Sequence, residues 1–251
     1  MFPTPVAVVI IPARLESTRL PRKMLADLHG EPLILHTWRQ ACKARHPASV
    51  IVATDSTEIA DHLTPHGATV IMTDPAATCG TERIAEAART INADVIVNLQ
   101  GDEPLIDPDS IDLALQPFFT QTPPDCSTLV LPIPPDDRAQ IDDPNQVKVV
   151  LDANGYALYF TRAAIPYRRN HLPGTPFYRH IGLYAFKATV LQEIAALPPS
   201  PLEEAESLEQ LRLLENGYRI RCMLTTSDQP GVNTQEELEQ VRQIIHNRHH
   251  P

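Results

Sequence analysis

Apolar runs and amphipathic patterns alternate along the first part of the chain. Four short runs rich in β-branched residues predict strands buried on both faces of a sheet, at residues 6–11, 49–54, 68–72 and 95–99. Between them, apolar positions recur at helical spacing, at residues 32–45, 57–63 and 81–91. Strands that alternate with helices predict right-handed crossovers and an open, mostly parallel sheet. The predicted fold class is therefore α/β, with a Rossmann-like sheet flanked by helices.

The pattern changes in the second half, where long irregular connections are predicted. Fifteen of the 25 prolines lie between Pro104 and Pro201. Residues 146–151 and 156–161 are joined by a segment containing Asn154-Gly155, and this pair favours a hairpin with positive φ at its tip. We therefore interpret the chain as one domain over residues 1–251, with a smaller embedded antiparallel lobe at about 144–187.

Two helices are predicted near the C-terminus from their capping residues. Ser200 and Glu203 have the spacing of a capping box, and Gly217 is placed to end a helix that runs from there to about residue 216. Thr234 and Glu237 repeat the same spacing. They predict the start of a final helix.

Composition and charge exclude several classes of function. The formal net charge is −10, whereas a nucleic-acid-binding protein usually presents a broad basic face. The four cysteines form no C-x-x-C pair and no disulfide framework, which is typical of the reducing cytosol. No stretch approaches the roughly 18 apolar residues of a membrane span. We expect a cytoplasmic protein that neither binds nucleic acid nor inserts into a membrane.

A basic loop follows the first predicted strand. Arg14, Arg19, Arg22 and Lys23 lie within ten residues whose only acid is Glu16. The loop has no glycine, which excludes a P-loop or a G-x-G-x-x-G phosphate cradle. Side chains would therefore hold phosphates, and two arginine forks with a mobile lysine suit a triphosphate. The alternative is an ordinary solvated basic turn.

A second signal follows the strand predicted at residues 95–99. Gln100, Gly101, Asp102 and Glu103 come directly after it, and parallel strands bind ligands at their carboxyl ends. Magnesium takes few carboxylates and keeps water and substrate oxygens, so Asp102 is a candidate ligand. The alternative is a capping or turn role for Asp102.

Seven segments along essentially the whole chain carry a resemblance to a known family: IIPARLESTRLPRK, CGTERIAEA, VNLQGDEP, YFTRAAIPY, RHIGLYAF, LEQLR and GVNTQEEL. In these segments and in their order, the sequence resembles the CMP-Kdo synthetases, the 3-deoxy-manno-octulosonate cytidylyltransferases. The related CMP-sialate synthetases carry a glycine-rich version of the first segment, so the residues Ser17-Thr18-Arg19-Leu20 favour Kdo. The resemblance implies a nucleotidyltransferase that makes CMP-Kdo for lipopolysaccharide biosynthesis.

The resemblance also implies residue roles. The catalytic residues would be Arg14, Lys23 and Asp102. The nucleotide CTP would be held by Arg14, Arg19, Lys23, Gly80, Thr81, Arg83 and Gln100. Kdo would be held by Arg162 through its carboxylate and by His180, Tyr184, Glu209 and Gln210 through its hydroxyls. Magnesium, the implied cofactor, would be held by Asp102 and Asn233, and the family implies a homodimer formed through the hairpin lobe.

Each sugar-binding assignment has a structural alternative. Tyr184 lies in an apolar strand and is compatible with a core position. Glu209 and Gln210 are compatible with an exposed helix surface, and His180 with a purely structural histidine. Arg162 is the most suggestive, because an arginine at the end of a strand is unusual for packing alone.

Two departures from the family pattern concern the site. Asn233 stands where the family usually has an aspartate that binds a second magnesium ion. An asparagine carbonyl still coordinates magnesium, but one negative charge is lost, and binding should weaken unless Glu236 or Glu237 compensates. Cys79 replaces a serine frequent before Gly-Thr.

Two rival functions follow from these observations. One is a cytidylyltransferase for another acidic sugar, such as a sialic acid or an amino-substituted Kdo. The other is a non-catalytic nucleotide-binding protein, which only Asn233 supports.

Overall fold

The computed structural model describes residues 4–17, 19–77, 79–170, 174–228 and 230–249. In chain order the strands are β1 (Ala7–Ala13), β2 (Asp27–Leu28), β3 (Glu31–Pro32), β4 (Ser49–Thr54), β5 (Thr69–Met72), β6 (Val95–Asn98), β7 (Cys126–Ile133), β8 (Lys148–Leu151), β9 (Ala157–Thr161), β10 (Phe177–Lys187) and β11 (Ile220–Leu224). The α-helices are α1 (Leu33–Ala41), α2 (Thr57–Leu63), α3 (Gly80–Ala88), α4 (Pro108–Leu115), α5 (Arg138–Asp142), α6 (Ala188–Ala195), α7 (Pro201–Glu206), α8 (Gln210–Glu215) and α9 (Gln235–His249).

The chain divides into two compact units. The central unit is Leu113–Asp228, and the flanking unit is formed by residues 4–112 together with residues 230–249. The sequence interpretation placed a smaller lobe at about 144–187 inside one domain. The structure draws the division wider, because β7 and β11 on either side of that lobe pair with each other in the central unit.

The flanking unit has the parallel sheet that the sequence predicted. Its strand order is β6-β1-β4-β5, and every neighbouring pair in it is parallel. Each residue of β1 is buried, as expected for a strand covered on both faces. Helices α1, α2 and α3 pack on this sheet. The α/β prediction is confirmed, and β4 and α2 have the predicted bounds.

The central unit is built mainly from antiparallel pairs. β10 pairs with β7 and with β8, and β8 pairs with β9. The predicted hairpin between β8 and β9 is confirmed, with Gly155 at φ 76° accepting the left-handed conformation at its tip. Its turn is closed by the Gly155 amide, which donates to the Asp152 carbonyl over 3.0 Å.

The helix predicted from Ser200 to about residue 216 is wrong in one respect, because it is broken in two. Ser207 adopts φ 53°, which ends α7, and α8 begins three residues later. The capping box of Ser200 and Glu203 is present, and Gly217 follows α8 at φ 81°. The Thr234 and Glu237 box also forms, since each donates its amide to the other's side chain.

No helix in the described part of the chain is long and apolar enough to cross a membrane.

Candidate active site

The basic loop of the flanking unit is anchored at both ends. It begins where the buried strand β1 ends, and Leu20 is buried in a cluster with Leu28 and Leu33. Arg22 takes a left-handed conformation, φ 55°, and starts a short 3-10 helix at Lys23–Leu25. Burial fixes Leu20 in the core, and the left-handed Arg22 reverses the chain direction. The cations of this loop are therefore held at the carboxyl edge of the sheet.

Gly101 brings the acidic segment close to this loop. A Cβ atom at this position would lie 2.9 Å from both the Met24 sulfur and the Ile34 Cδ1, and 3.1 Å from the Pro12 carbonyl oxygen. A Cβ atom would force the two side chains to move, and its distance to the carbonyl would be tighter than most real Cβ contacts, so glycine suits this close approach. The Thr37 hydroxyl fixes the segment further by donating to the Gly101 carbonyl over 2.9 Å.

The first turn of α3 reaches the same edge. A Cβ atom on Gly80 would lie 3.5 Å from Pro12 and 3.9 Å from the Gln100 Oε1. Gln100 is itself oriented by donating to Asn98 over 2.9 Å. The structure thus brings together three segments that are far apart in the sequence: the basic loop, the turn containing Gly80 and Thr81, and the Gln100–Asp102 segment.

Lys23 and Asp102 form an ion pair at the centre of this group. The Lys23 ammonium contacts the Asp102 carboxylate, and their side chains are only 12% and 19% exposed, so the pair is shielded from solvent. Asn233 completes the group, since its Oδ1 accepts from Lys23 over 3.4 Å and from Arg19 over 3.3 Å. Four of the predicted site residues are therefore linked by direct contacts, from Arg19 through Asn233 and Lys23 to Asp102.

Asn233 reaches this position through the chain segment before α9. The Val232 amide donates to the Asp102 carbonyl over 2.8 Å. This hydrogen bond attaches the segment before α9 to the Gln100–Asp102 segment. Glu237 accepts from the amides of Asn233 and Thr234 and so caps α9. Glu237 is therefore committed to the helix start, and Glu236 is exposed.

The oxygen donors at this position suit magnesium. Within the described residues no group of three or more His, Cys, Asp or Glu side chains could hold a metal ion. Magnesium needs no such group, since it binds through one or two carboxylates and completes its shell with water and phosphate oxygens. The carboxylate of Asp102 and the amide oxygen of Asn233, both beside Lys23, are hard oxygens of the required kind.

A cleft of about 500 Å³ lies at the same edge, beyond the ends of β1, β4 and β5. Arg14 and Arg83 both line it, together with Asp55. Arg83 is buried and donates to Asp55 over 2.8 Å and also to Thr73, so its position is fixed. Arg14 is exposed and has no partner among the described residues, which leaves its guanidinium available to a ligand.

The predicted sugar-binding residues lie in the central unit. His180 and Tyr184 belong to one aromatic cluster with Phe160, and Glu209 is near it. The His180 ring packs 5.1 Å from Phe160 and 5.3 Å from Tyr184. Burial lowers the pKa of His180 to about 3, and burial raises the pKa of Tyr184 well above its ordinary value. Glu209 is close enough to contribute to the shift at Tyr184.

Two buried polar atoms of the predicted sugar-binding residues lack a partner in the described part of the chain. They are the Tyr184 hydroxyl and the Gln210 Nε2. A buried donor without an acceptor costs about 1–3 kcal/mol, so native proteins seldom keep one without a ligand or water to satisfy it. The unpaired hydroxyl of Tyr184 is unusual for a simple core position, and Gln210 is buried, so it does not lie on an exposed helix surface.

Arg162 has a different environment. Its guanidinium donates to the carbonyls of Glu206, Pro144 and Ser207, over 2.8, 3.0 and 3.4 Å. Its amide donates to the Glu206 carboxylate, and the Thr161 hydroxyl donates there too. These contacts fix the turn that leads to Glu209 and Gln210. The assignment of Arg162 to a sugar carboxylate stays a prediction.

Sequence reasoning missed two residues that shape the site. Asp55 positions Arg83, and Thr128 contacts His180 over 3.0 Å. Asp55 directly follows the strand predicted at residues 49–54, and its place at a strand end is the signal that could have identified it. Thr128 lies inside an apolar strand and gives no such signal.

Comparisons with known proteins identify the family of the chain. A profile of the cytidylyltransferase family matches residues 8–220. The chain is 70% identical over 239 residues to the 3-deoxy-manno-octulosonate cytidylyltransferase of Pelodictyon phaeoclathratiforme, covering 95% of this chain and 97% of that one. It is 65% identical over 243 residues to the enzyme of the same name from Chlorobaculum tepidum, covering 96% and 98%.

Solved structures give the same picture. A CMP:2-keto-3-deoxy-manno-octonic acid synthetase complexed with CTP superposes with a TM-score of 0.91 at 39% identity, covering 97% of this chain and 99% of that one. A cytidylyltransferase from Leptospira borgpetersenii shares only the fold, at 18% identity and a TM-score of 0.64, over 96% and 87% of the two chains. The chain belongs to the 3-deoxy-manno-octulosonate cytidylyltransferase family.

Proposed function

We propose that this protein transfers the cytidylyl group of CTP to 3-deoxy-D-manno-octulosonate (Kdo), forming CMP-Kdo and diphosphate. The observation that carries the proposal is the group formed by Arg19, Lys23, Asp102 and Asn233, in which two cations and a shielded carboxylate meet at the carboxyl edge of a parallel sheet. Such a group binds a triphosphate and a divalent cation together.

The reaction is an in-line displacement. The anomeric hydroxyl oxygen of Kdo forms a bond to the α-phosphorus of CTP, the bond from that phosphorus to the bridging oxygen breaks, and diphosphate leaves. The hydroxyl proton passes to solvent. No covalent bond to the protein forms, so the protein acts by positioning and by stabilising charge.

The cations stabilise the leaving group. Arg14 is available at the cleft, and Arg19 and Lys23 lie at the neighbouring group, so together they balance the negative charge that grows on diphosphate. Lys23 exchanges Asp102 for phosphate oxygens when the nucleotide binds. The Asp102 carboxylate would then be available to hold magnesium.

Magnesium would be held by Asp102 and Asn233, where it would neutralise phosphate charge and make the α-phosphorus more electrophilic. The side chains around it keep the nucleotide in place. Arg83, fixed by Asp55, lines the cleft that would take the cytidine. Gly80 lies close to Gln100 and Pro12 at the same edge of the sheet, and Thr81 follows it in the first turn of α3. A pocket that hydrogen-bonds the base rejects other bases strongly.

The central unit provides the sugar residues in this proposal. Tyr184 and Gln210 each hold a buried polar atom that a sugar hydroxyl would satisfy, and His180 and Glu209 are beside them. The product is the activated sugar for lipopolysaccharide biosynthesis. The protein works as a cytoplasmic homodimer in this account.

A coupled assay of diphosphate release tests the proposal. Release should require CTP, Kdo and magnesium together, and the Asp102→Asn variant should be at least about 100-fold slower, as expected when a charge acting on the reacting group is removed. A control is Asp109→Asn, which removes an exposed carboxylate on α4 whose ion pair is with Arg45. Release without Kdo, release only with a sialic acid, or full activity of Asp102→Asn would contradict the proposal.

A further inference from the structure

The strand β10 contains an irregularity next to the sugar residues. Ile181 is opposite Leu129 on β7, whereas Tyr184 is opposite Thr128, so two residues of β10 bulge out between neighbouring partners. A bulge leaves ladder groups unpaired and turns side chains in a new direction. Here it places the carbonyls of Ile181 and Leu183 near one threonine side chain.

The Thr128 hydroxyl satisfies these carbonyls. Thr128 is fully buried, and its Oγ1 lies 3.1 Å from the Ile181 oxygen and 2.9 Å from the Leu183 oxygen. Both neighbours are carbonyl oxygens, which only accept hydrogen bonds. A threonine hydroxyl has one hydrogen and two lone pairs. Its hydrogen is therefore directed to the main chain of the bulge.

The remaining contact of Thr128 fixes the chemistry of His180. The Nε2 of His180 lies 3.0 Å from the same hydroxyl oxygen. Since the hydroxyl hydrogen is directed elsewhere, the oxygen accepts here, and Nε2 carries the hydrogen. A neutral imidazole with its hydrogen on Nε2 has a lone pair on Nδ1.

The surroundings hold the ring in this orientation. Phe160 meets it edge-on at 75°, and Tyr184 packs on it at 48°. The described residues provide no hydrogen-bond partner for Nδ1, while the Tyr184 hydroxyl nearby is a buried donor without an acceptor. Two neighbouring rings, with centroids 5.3 Å apart, thus offer one acceptor and one donor, which together match a sugar hydroxyl.

We propose that Thr128 is a positioning residue that fixes His180 as the neutral Nε2–H tautomer, so that Nδ1 accepts a hydrogen bond from a hydroxyl of the acidic sugar. The inference rests on the proposed function for the identity of the sugar. Its first part, the tautomer, does not depend on any substrate.

The tautomer is measured in the full-length protein without substrate. Long-range proton–nitrogen spectra of protein labelled with ¹⁵N-histidine distinguish a protonated ring nitrogen from an unprotonated one, and the His180→Gln variant identifies which of the 10 histidines is His180. Near neutral pH we expect Nε2 protonated and Nδ1 unprotonated. A hydrogen on Nδ1, or a charged ring, would overturn the inference.

The role of the hydroxyl is tested with two substitutions and a control. Thr128→Val keeps the shape but removes the hydroxyl, and Thr128→Ser keeps the hydroxyl. Ser127→Ala removes the neighbouring buried hydroxyl, which donates to the Ala114 carbonyl and does not touch His180. Thr128→Val should populate both tautomers and raise KM for Kdo by about tenfold, the cost of one misdirected hydrogen bond, with KM for CTP unchanged. Thr128→Ser and Ser127→Ala should behave as the wild type.

Other outcomes separate the inference from the proposed function. An unchanged tautomer and unchanged KM for Kdo in Thr128→Val would overturn the inference while wild-type turnover of CTP and Kdo still supported the function. Wild-type protein that shows the predicted tautomer but no turnover of any acidic sugar would refute the function and, with it, the sugar contact of Nδ1. If Thr128→Val does not fold, the wild-type spectrum and the Thr128→Ser kinetics decide.

Discussion

Replacing Asn233 by aspartate adds one negative charge where two cations already converge. The Asn233 Oδ1 lies 3.4 Å from the Lys23 ammonium and 3.3 Å from the Arg19 guanidinium. At such distances a unit-charge pair is worth about 1 kcal/mol at the dielectric of water and about 5 kcal/mol at an effective dielectric of 20. Arg19 is exposed, so its share lies near the lower figure.

We expect two measurable results from the Asn233→Asp variant. After the loss to solvent screening, the free protein should gain about 1 kcal/mol of unfolding free energy. The magnesium concentration for half-maximal rate should fall about fivefold, because a second carboxylate beside Asp102 attracts the ion by a similar amount. The assay is the initial rate of diphosphate release over a magnesium titration at fixed CTP and Kdo.

The matched control adds the same charge without the contacts. Gln235 is exposed at the start of α9, two residues further along the chain, so Gln235→Glu changes the net charge equally. An unchanged magnesium titration in Asn233→Asp would refute the reasoning. An equal shift in both variants would also refute it, since it would show a general effect of charge and no role for position 233 at the metal.

Three further predictions concern the loop, the glycine and the histidine. Lys23→Ala should lower turnover at least about 30-fold with little change in Tm. The control Arg22→Ala removes a cation of the same loop that is paired with Glu58, and it should keep activity within about threefold. Equal losses in the two variants would contradict a special role for Lys23. Gly101→Ala should cost about 1–3 kcal/mol of unfolding free energy in denaturant melts, because its Cβ would lie 2.9 Å from two side chains and 3.1 Å from a carbonyl. An unchanged unfolding free energy would contradict the close packing around Gly101. Burial lowers the pKa of His180 to about 3, so the unfolded chain takes up this proton near its ordinary pKa of about 6.5 while the folded chain does not. The stability that neutral His180 contributes is therefore fully present above about pH 6.5, and it falls by at most about 1.4 kcal/mol per pH unit as the pH drops towards about 3. Tm should drop more on acidification in the wild type than in His180→Gln, and parallel curves of Tm against pH would contradict this.

The first half of the fold could be predicted because its signals are local. A continuous apolar run such as that of β1 is compatible with a strand covered on both faces, and the helices between such runs force parallel crossovers. That topology alone predicted that the loop carrying Lys23 and the segment carrying Asp102 would meet at one edge. Their ion pair bears this out.

The remaining features depend on contacts that no local pattern encodes. Ser207 interrupts a sequence with good helical spacing, because Arg162 and Thr161 hold the preceding turn through Glu206. The position of Thr128 beside His180 depends on a bulge in β10, which apolar alternation does not reveal. The fixed orientation of Arg83 likewise depends on Asp55, from a different strand end.

The most direct test of the central claim is identification of the product. Wild-type protein with magnesium is incubated with each of CTP, UTP, ATP and GTP against Kdo, amino-substituted Kdo and a sialic acid, and the products are identified by mass and ³¹P spectra. CMP-Kdo and diphosphate should form from CTP and Kdo at a rate well above that of every other pair. A different nucleotide or sugar as the preferred substrate, or a nucleotide bound without any product, would contradict it.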